Sequence, residues 1–278
     1  MPELPEAEFG RKLAERTLGG RSIVRVRCAR DTIVFDGVSP TRVQRALQGR
    51  VVLAVHRWGK YLWFQLDQRP WPLFHFGMTG SFRVPHQAVL ELASSPRRPS
   101  GEWPPRFTKI HLVVDGGGEL VMTNARRLGR IRLRDDPRND PPVGRLGFDP
   151  LLAMPKSREF AELFGKRRGN VKAVLLDQRF AAGVGNWIAD EVLFQAGIDP
   201  RRTAESLGEN EVRRLRAKLG HVIRAAVRVD ANKARFPASW LFHHRWGKQS
   251  TARTSNGERI EHITVAGRTT AWVPTRQL

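Results

Sequence analysis

The chain has 278 residues, 40% of them hydrophobic, enough for two compact domains with sizeable cores. Lys and Arg number 48 against 27 Asp and Glu, a formal charge of +21, which points to a polyanionic partner, nucleic acid before a membrane surface. No apolar run approaches the ~20 residues of a spanning helix, no signal-peptide pattern opens the chain, and one cysteine, Cys28, excludes internal disulfides and thiolate metal clusters, so a reducing intracellular site is expected.

The first eight residues, Met1-Pro2-Glu3-Leu4-Pro5-Glu6-Ala7-Glu8, carry two readings. One is a helix start, with Pro5 in the first turn and Glu3, Glu6 and Glu8 complementing the dipole. In the other, Met1 is trimmed and Pro2 offers a secondary amine. On a carbonyl carbon such an amine forms an iminium that is positive at every pH, a built-in electron sink. Glu3 stands beside it to move protons. The positive end of the helix dipole lowers the amine's pKa from roughly 8. These residues alone leave both readings open.

A helix is predicted over 4–18, stopped by Gly19-Gly20. Short alternating runs follow at 23–26, 51–55, 61–66, 73–76, 110–114, 119–122 and 131–133, with a short helix at 42–47. Strands punctuated by Gly and Pro predict a β-sandwich or barrel. Residues 94–105 read as a Pro-rich surface loop, and 135–157 as a linker rich in Pro and Asp. The period then turns helical at 158–164, 171–176, 185–196 and 209–228, with a turn near 237–242. The tail returns to strands. Asn256-Gly257 predicts a type I′ hairpin turn, and Ala266-Gly267 a second hairpin. The expected division is a domain at 1–134, the linker, a helical domain at 158–242 and a hairpin finger at 243–278.

Four constellations carry chemistry. Arg57-Trp58-Gly59-Lys60-Tyr61-Leu62 places a lysine at the opening of an apolar strand. In His75-Phe76-Gly77-Met78-Thr79-Gly80-Ser81, two glycines turn the backbone and push Met78 outward, although a turn Met is more often tucked into a core. Asn124-Ala125-Arg126-Arg127-Leu128-Gly129-Arg130 is a basic loop with one apolar residue, the composition of a wedge that opens or refills a base stack. Gly183-Val184-Gly185-Asn186 precedes a helix whose N–H groups can hold a phosphate, a weak signal on its own. His243-His244 are placed on one strand, facing opposite ways with no further ligand at metal spacing, so no metal site is expected.

Together these pieces resemble the formamidopyrimidine-DNA glycosylase/endonuclease VIII family along nearly the whole chain. The matching segments stand in the family's order: Pro2 to Glu6, Gly59 to Leu62, His75 to Gly80, Arg126 to Gly129, Leu146-Gly147 with Asp149-Pro150-Leu151, and Leu176-Asp177 with Gly183 to Asn186. The resemblance implies an α+β fold: an N-terminal helix with a β-sandwich, then a helix–two-turn–helix domain ending in a β-hairpin finger. It implies a bifunctional DNA glycosylase and abasic-site lyase for oxidised pyrimidines or formamidopyrimidines, acting through a Pro2 iminium with β- and δ-elimination. The implied catalytic residues are Pro2, Glu3, Lys60 and Arg268. The implied DNA contacts are Met78, Arg126, Arg127, Leu128, Lys109, Arg168, Asn186, His75 and Glu6. The implied partner is damaged double-stranded DNA, held between the domains by a monomer inside the cell, in cytoplasm, nucleoid or nucleus, with no cofactor and no membrane.

Three departures qualify the resemblance. The family usually has Phe where Leu128 stands. At the four places of its finger's zinc cysteines this chain has Arg253, Asn256, Val273 and Arg276, so a zincless finger is expected, packed by Trp272 with Ile260, Ile263 and Val265 and leaning on Trp240 and Trp246. The short stretch between Val229 and Trp240 has no room for the longer loop of 8-oxoguanine specialists, which leans the substrate toward oxidised pyrimidines or ring-opened purines. The alternatives are an abasic-site lyase without glycosylase activity, a non-catalytic helix–two-turn–helix nucleic-acid binder, and a protein of anionic membranes.

Overall fold

A computed structural model describes residues 1–86, 102–247 and 251–278. The predicted loop at 94–105 lies outside them up to residue 101. The chain divides into two compact units, Met1–Arg145 and Leu146–Leu278, with the boundary inside the stretch 135–157.

The first unit opens with helix α1, Leu4–Leu18. Its start is set by Pro5 in the first turn and by the Glu6 carboxylate, which accepts the Glu3 N–H at 2.9 Å. Leu4, Ala7, Leu13, Ala14 and Leu18 form its buried stripe. Strands β1 (Ile23–Cys28), β2 (Val52–Trp58), β3 (Tyr61–Leu66), β4 (Trp71–His75), β5 (Ser81–Arg83), β6 (Thr108–Val114), β7 (Glu119–Thr123) and β8 (Arg130–Arg134) build two antiparallel sheets. Their orders are β1-β6-β7-β5 and β2-β3-β4-β8. Phe82 of the first sheet meets Phe64 and Phe74 of the second at ring-centroid distances of 5.7 and 5.2 Å, so the core lies between the sheets. The predicted sandwich is therefore present. The sequence reading missed β5, whose three residues are too short for a period of two to register. Helix α2, Pro40–Leu47, begins two residues earlier than predicted, because Ser39 caps it by accepting the Arg42 N–H at 3.1 Å.

The second unit holds helices α3 (Ser157–Gly165), α4 (Val171–Leu176), α5 (Asn186–Ala196) and α6 (Glu209–Arg228), then strands β9 (Glu261–Val265) and β10 (Arg268–Trp272). Helix α5 buries nearly its whole circumference, and Gly197 closes it in the left-handed region at φ 66°. Strands β9 and β10 pair across Ala266 and Gly267, both at positive φ, as a two-residue hairpin requires.

Three expectations about the tail need correction. The Asn256-Gly257 turn is not type I′: the Gly257 N–H donates to the Thr254 carbonyl at 2.9 Å, so Gly257, left-handed at φ 82°, closes the turn, and Asn256 does not take the positive φ that type I′ needs at both central places. The finger's core is Ile260, Ala271 and Val273 against Phe194 and Leu241. Trp272 and Val265 are buried outside that cluster, with the Arg201 guanidinium 4.4 Å from the centre of the Trp272 ring, while Ile263 stays half-buried. Trp240 packs tilted against Phe236 and Trp187, and Trp246 meets Phe242 edge-on. His243 ends a short 3-10 turn rather than sitting on a strand. No helix among the described residues is long and apolar enough to cross a membrane.

Candidate active site

The N-terminus of α1 gathers charge. In the described chain the terminal amine belongs to Met1 and stands in for the Pro2 nitrogen that removal of Met1 would uncover. Burial lowers that amine's pKa. Glu3 and Glu6 oppose the shift with their negative charge, while Lys60 and Arg126 add to it with their positive charge. Four predicted site residues from α1, the β2–β3 turn and the loop after β7 thus act on one amine. Glu3 is buried and Glu6 half-buried. Burial, then the neighbouring charge of Glu3, pushes Glu6 up to about 7, well above the ordinary carboxyl range. The turn bearing Lys60 is braced from below. Buried Arg57 donates to Glu8 of α1 at 2.8 Å and to the Gly59 carbonyl at 2.9 Å, so helix and turn keep a fixed spacing.

Two loops form one edge beside this cluster. Gly77 sits at φ 64°, and a Cβ there would lie 2.4 Å from the Leu128 carbonyl, so the Met78 turn packs directly on the Arg126–Leu128 loop. Buried Asn124 fastens them: its amide donates to the Phe76 carbonyl at 2.8 Å and accepts the Gly129 N–H at 3.1 Å. Met78 is half-buried, while Arg126 and Arg127 are exposed and Leu128 is 43% exposed. His75 closes the base of the edge. Its Nδ1 accepts the Gly77 N–H at 3.2 Å, which leaves the ring proton on Nε2. Burial, then the charges of Lys60, Arg132 and Arg130, lowers its pKa to about 4, so the ring is a neutral donor at pH 7.

Lys109 and Arg127 share a carboxylate. Lys109 is buried with its ammonium 2.6 Å from Asp31, and Arg127 reaches the same group at 3.1 Å. Burial alone would raise Asp31, but the hydrogen bonds from Arg127 and Lys109 outweigh it and hold the carboxyl well below the usual range. Both cations are thereby committed to a clamp that ties β6 to the loop. Sequence reasoning missed Asp31, which acts through partners distant in the chain, and named Asn124 only as part of its basic loop, without the bond to Phe76 that gives it its role.

In the second unit, Asn186 opens α5 and donates to the Thr269 carbonyl at 2.9 Å, next to exposed Arg268. Arg168 is exposed in the connection between α3 and α4, 3.4 Å from Glu205. Beneath the hairpin lies a buried network. Asp190 stands 2.6 Å from the Lys172 ammonium, pairs with Arg245 and accepts the Ala271 N–H at 3.1 Å, while Lys172 donates to Thr270 at 2.6 Å. Glu191, also buried, accepts the Phe242 N–H at 2.9 Å, and burial raises its pKa to about 7. A carboxyl whose folded pKa exceeds its unfolded value near 4.5 binds protons more tightly in the fold. Stability then falls as pH rises from about 4.5 to 7. Glu191→Gln is expected to flatten that decline, measured as the unfolding free energy in urea at pH 5 and pH 8. Among the described residues no three His, Cys, Asp or Glu side chains converge to hold a metal ion.

The family model described as the formamidopyrimidine-DNA glycosylase N-terminal domain matches residues 1–131. The one described as the formamidopyrimidine-DNA glycosylase H2TH domain matches residues 146–238. Formamidopyrimidine-DNA glycosylase of Arabidopsis thaliana is 42% identical over 277 residues, covering 100% of this chain and 71% of that protein. The enzyme of the same name from Moorella thermoacetica is 33% identical over 271 residues, covering 97% and 89%. Two solved structures share the fold. One is a complex of the Lactococcus lactis protein with DNA containing FAPY-dG, at TM-score 0.79, 23% identity and 99% coverage of both chains. The other is MutM in complex with DNA containing carbocyclic 8-oxo-G, at TM-score 0.80, 24% identity and 100% coverage of both.

Proposed function

This chain belongs to the formamidopyrimidine-DNA glycosylase family, and we propose that it excises oxidised bases from DNA and then cuts the strand at the abasic site. The observation that carries the mechanism is the amine at the head of α1, half desolvated and acted on by Glu3, Glu6, Lys60 and Arg126. After removal of Met1, the Pro2 nitrogen attacks C1′ of the flipped nucleotide. The N-glycosidic bond breaks and the base leaves with a proton. Glu3 protonates the ring oxygen, and the sugar opens as an iminium. Glu6, whose carboxyl burial and the charge of Glu3 push up toward neutrality, serves as the reservoir for these transfers. The iminium acidifies C2′–H, whose loss expels the 3′ phosphate, and Lys60 supports that step. A second elimination expels the 5′ phosphate and leaves a one-nucleotide gap.

Met78, Arg126 and Leu128 fill the space of the extruded nucleotide, which offsets the few kcal/mol of lost stacking. His75, Asn186, Arg168 and Arg268 hold phosphates. Lys109 and Arg127 serve the same surface through Asp31, by fixing the loop that carries Arg126. The relatives' name supports formamidopyrimidines as substrates. The compact segment after α6 supports oxidised pyrimidines beside them: Asp230 and Ala231 turn it sharply at φ 52° and 54°, and a 3-10 turn over Lys233–Arg235 follows.

The test is a panel of duplexes carrying single lesions, scored for released base and for the chemistry of the cut ends. Release of ring-opened purine or oxidised pyrimidine with phosphate at both ends of the gap is expected. Cleavage of abasic sites with no base released would leave a lyase alone. Affinity for the duplex should fall with salt at a log–log slope of about −0.9 per phosphate neutralised, so a flat response in a salt titration would contradict phosphate binding.

A further inference from the structure

Phe107 is an anomaly that the proposed mechanism does not use. It is a large aromatic residue, 42% exposed, just ahead of β6. Its φ is 67°, in the left-handed region that bulky side chains avoid. Such outliers persist only where surrounding bonds over-determine them, and here they do. The Phe107 carbonyl accepts the Asn124 N–H at 3.0 Å, the Thr108 hydroxyl donates to the Pro105 carbonyl at 2.6 Å, and Thr108 pairs with Thr123. The backbone is held in a costly shape while the residue stays 42% exposed, so burial compensates only in part.

The ring's address explains the cost. Asn124, which fixes Phe107, is the same residue that fastens the Met78 turn to the Arg126–Leu128 loop. Two residues beyond Phe107, Lys109 joins the Asp31 clamp that also holds Arg127. Phe107 therefore belongs to the same rigid edge as Arg126 and Leu128. The Arg106 guanidinium lies 4.8 Å from the centre of its ring. With one face of the ring taken by that arginine, a partly exposed aromatic plane with a cation on it has the composition of a base-stacking platform whose other face receives the base.

We infer that Phe107 is a DNA-binding residue that stacks on the face of a nucleobase at the opened step, beside the nucleotide removed. This rests on the reading of the chain as a lesion glycosylase. The aromatic plane absent at Leu128 is supplied from the segment that leads into β6.

The probe is a duplex carrying a tetrahydrofuran abasic-site analogue with 2-aminopurine next to it. Phe107→Asn removes the ring and keeps a residue that tolerates the left-handed backbone. Its affinity for the probe should fall about tenfold, the loss expected of one base–aromatic stack, with the aminopurine fluorescence rising as the base unstacks. The variant should keep the wild-type melting transition, and Phe107→Tyr should restore both affinity and quenching. Wild-type affinity and fluorescence in Phe107→Asn would overturn the inference, as would a lowered melting transition that alone accounts for the loss. If the wild-type protein does not prefer the probe over undamaged duplex, the lesion-glycosylase reading fails instead.

Discussion

An uncleavable extension ahead of Pro2 should reduce borohydride-trapped protein–DNA crosslinks by about a thousandfold or more, the scale on which loss of a covalent nucleophile acts. The extension converts the secondary amine into an amide, which has no lone pair for C1′. Pro2→Gly is the gentler variant. Its primary amine still forms an imine, but one that is neutral unless protonated, so the electron sink exists for only part of the time and trapping should be slower rather than absent. Mass spectrometry of the active protein should find Met1 removed. If the extended protein crosslinks as well as wild type, the nucleophile is another amine, and Lys60 is the one the geometry offers, since its charge already acts on the terminal nitrogen.

The second large effect concerns folding of the helical unit. Asp190→Ala would leave Lys172 fully buried and Arg245 nearly so, with the carboxylate between them gone and the Ala271 N–H without its acceptor. Breaking a buried ion pair from one side costs about 3–5 kcal/mol, because the remaining charge stays desolvated. Urea unfolding should show a loss of that order. Glu162→Ala is the control: its pair with Arg158 is exposed on both sides and should change stability by less than about 1 kcal/mol. The network also ties the hairpin to α4 and α5, so the Asp190 variant should lose binding to lesion duplex along with stability. A change below 1 kcal/mol at Asp190 would mean that the hairpin is held by its apolar core alone.

Much of this was legible from local pattern. Helix α1 matched its predicted bounds because Pro5, the acidic first turn and Gly19-Gly20 are local signals at both ends. The Ala266-Gly267 hairpin was readable for the same reason. The site motifs were legible as segments, and their convergence on one amine was not, since it depends on contacts between residues over a hundred positions apart. Asp31 and Asp190 were invisible as single polar letters in a loop and a helix, and Asn124 was legible only as part of its basic loop. The Asn256-Gly257 turn failed because the dipeptide specifies left-handed glycine without specifying its place in the turn. The finger packing was legible in part: Trp272, Ile260 and Val265 are buried as their composition suggests, but the cluster against Phe194 and Leu241 takes the smaller Ala271 and Val273, and Ile263 stays half-buried.

Asn124 has a consequence for how such an enzyme diversifies. It grips only main-chain atoms: the Phe76 carbonyl, the Gly129 amide and, through its own amide, the Phe107 carbonyl. The spacing of the three fingertips is therefore indifferent to which side chains they wear. The side chains at 78, 107 and 128 can therefore change without touching the bonds that hold the loops together. Libraries at 78, 107 and 128 should accordingly yield folded proteins at high frequency, whereas a single exchange at 124 should loosen the 78 and 128 tips together and leave 107, held by the main-chain N–H of residue 124, in place.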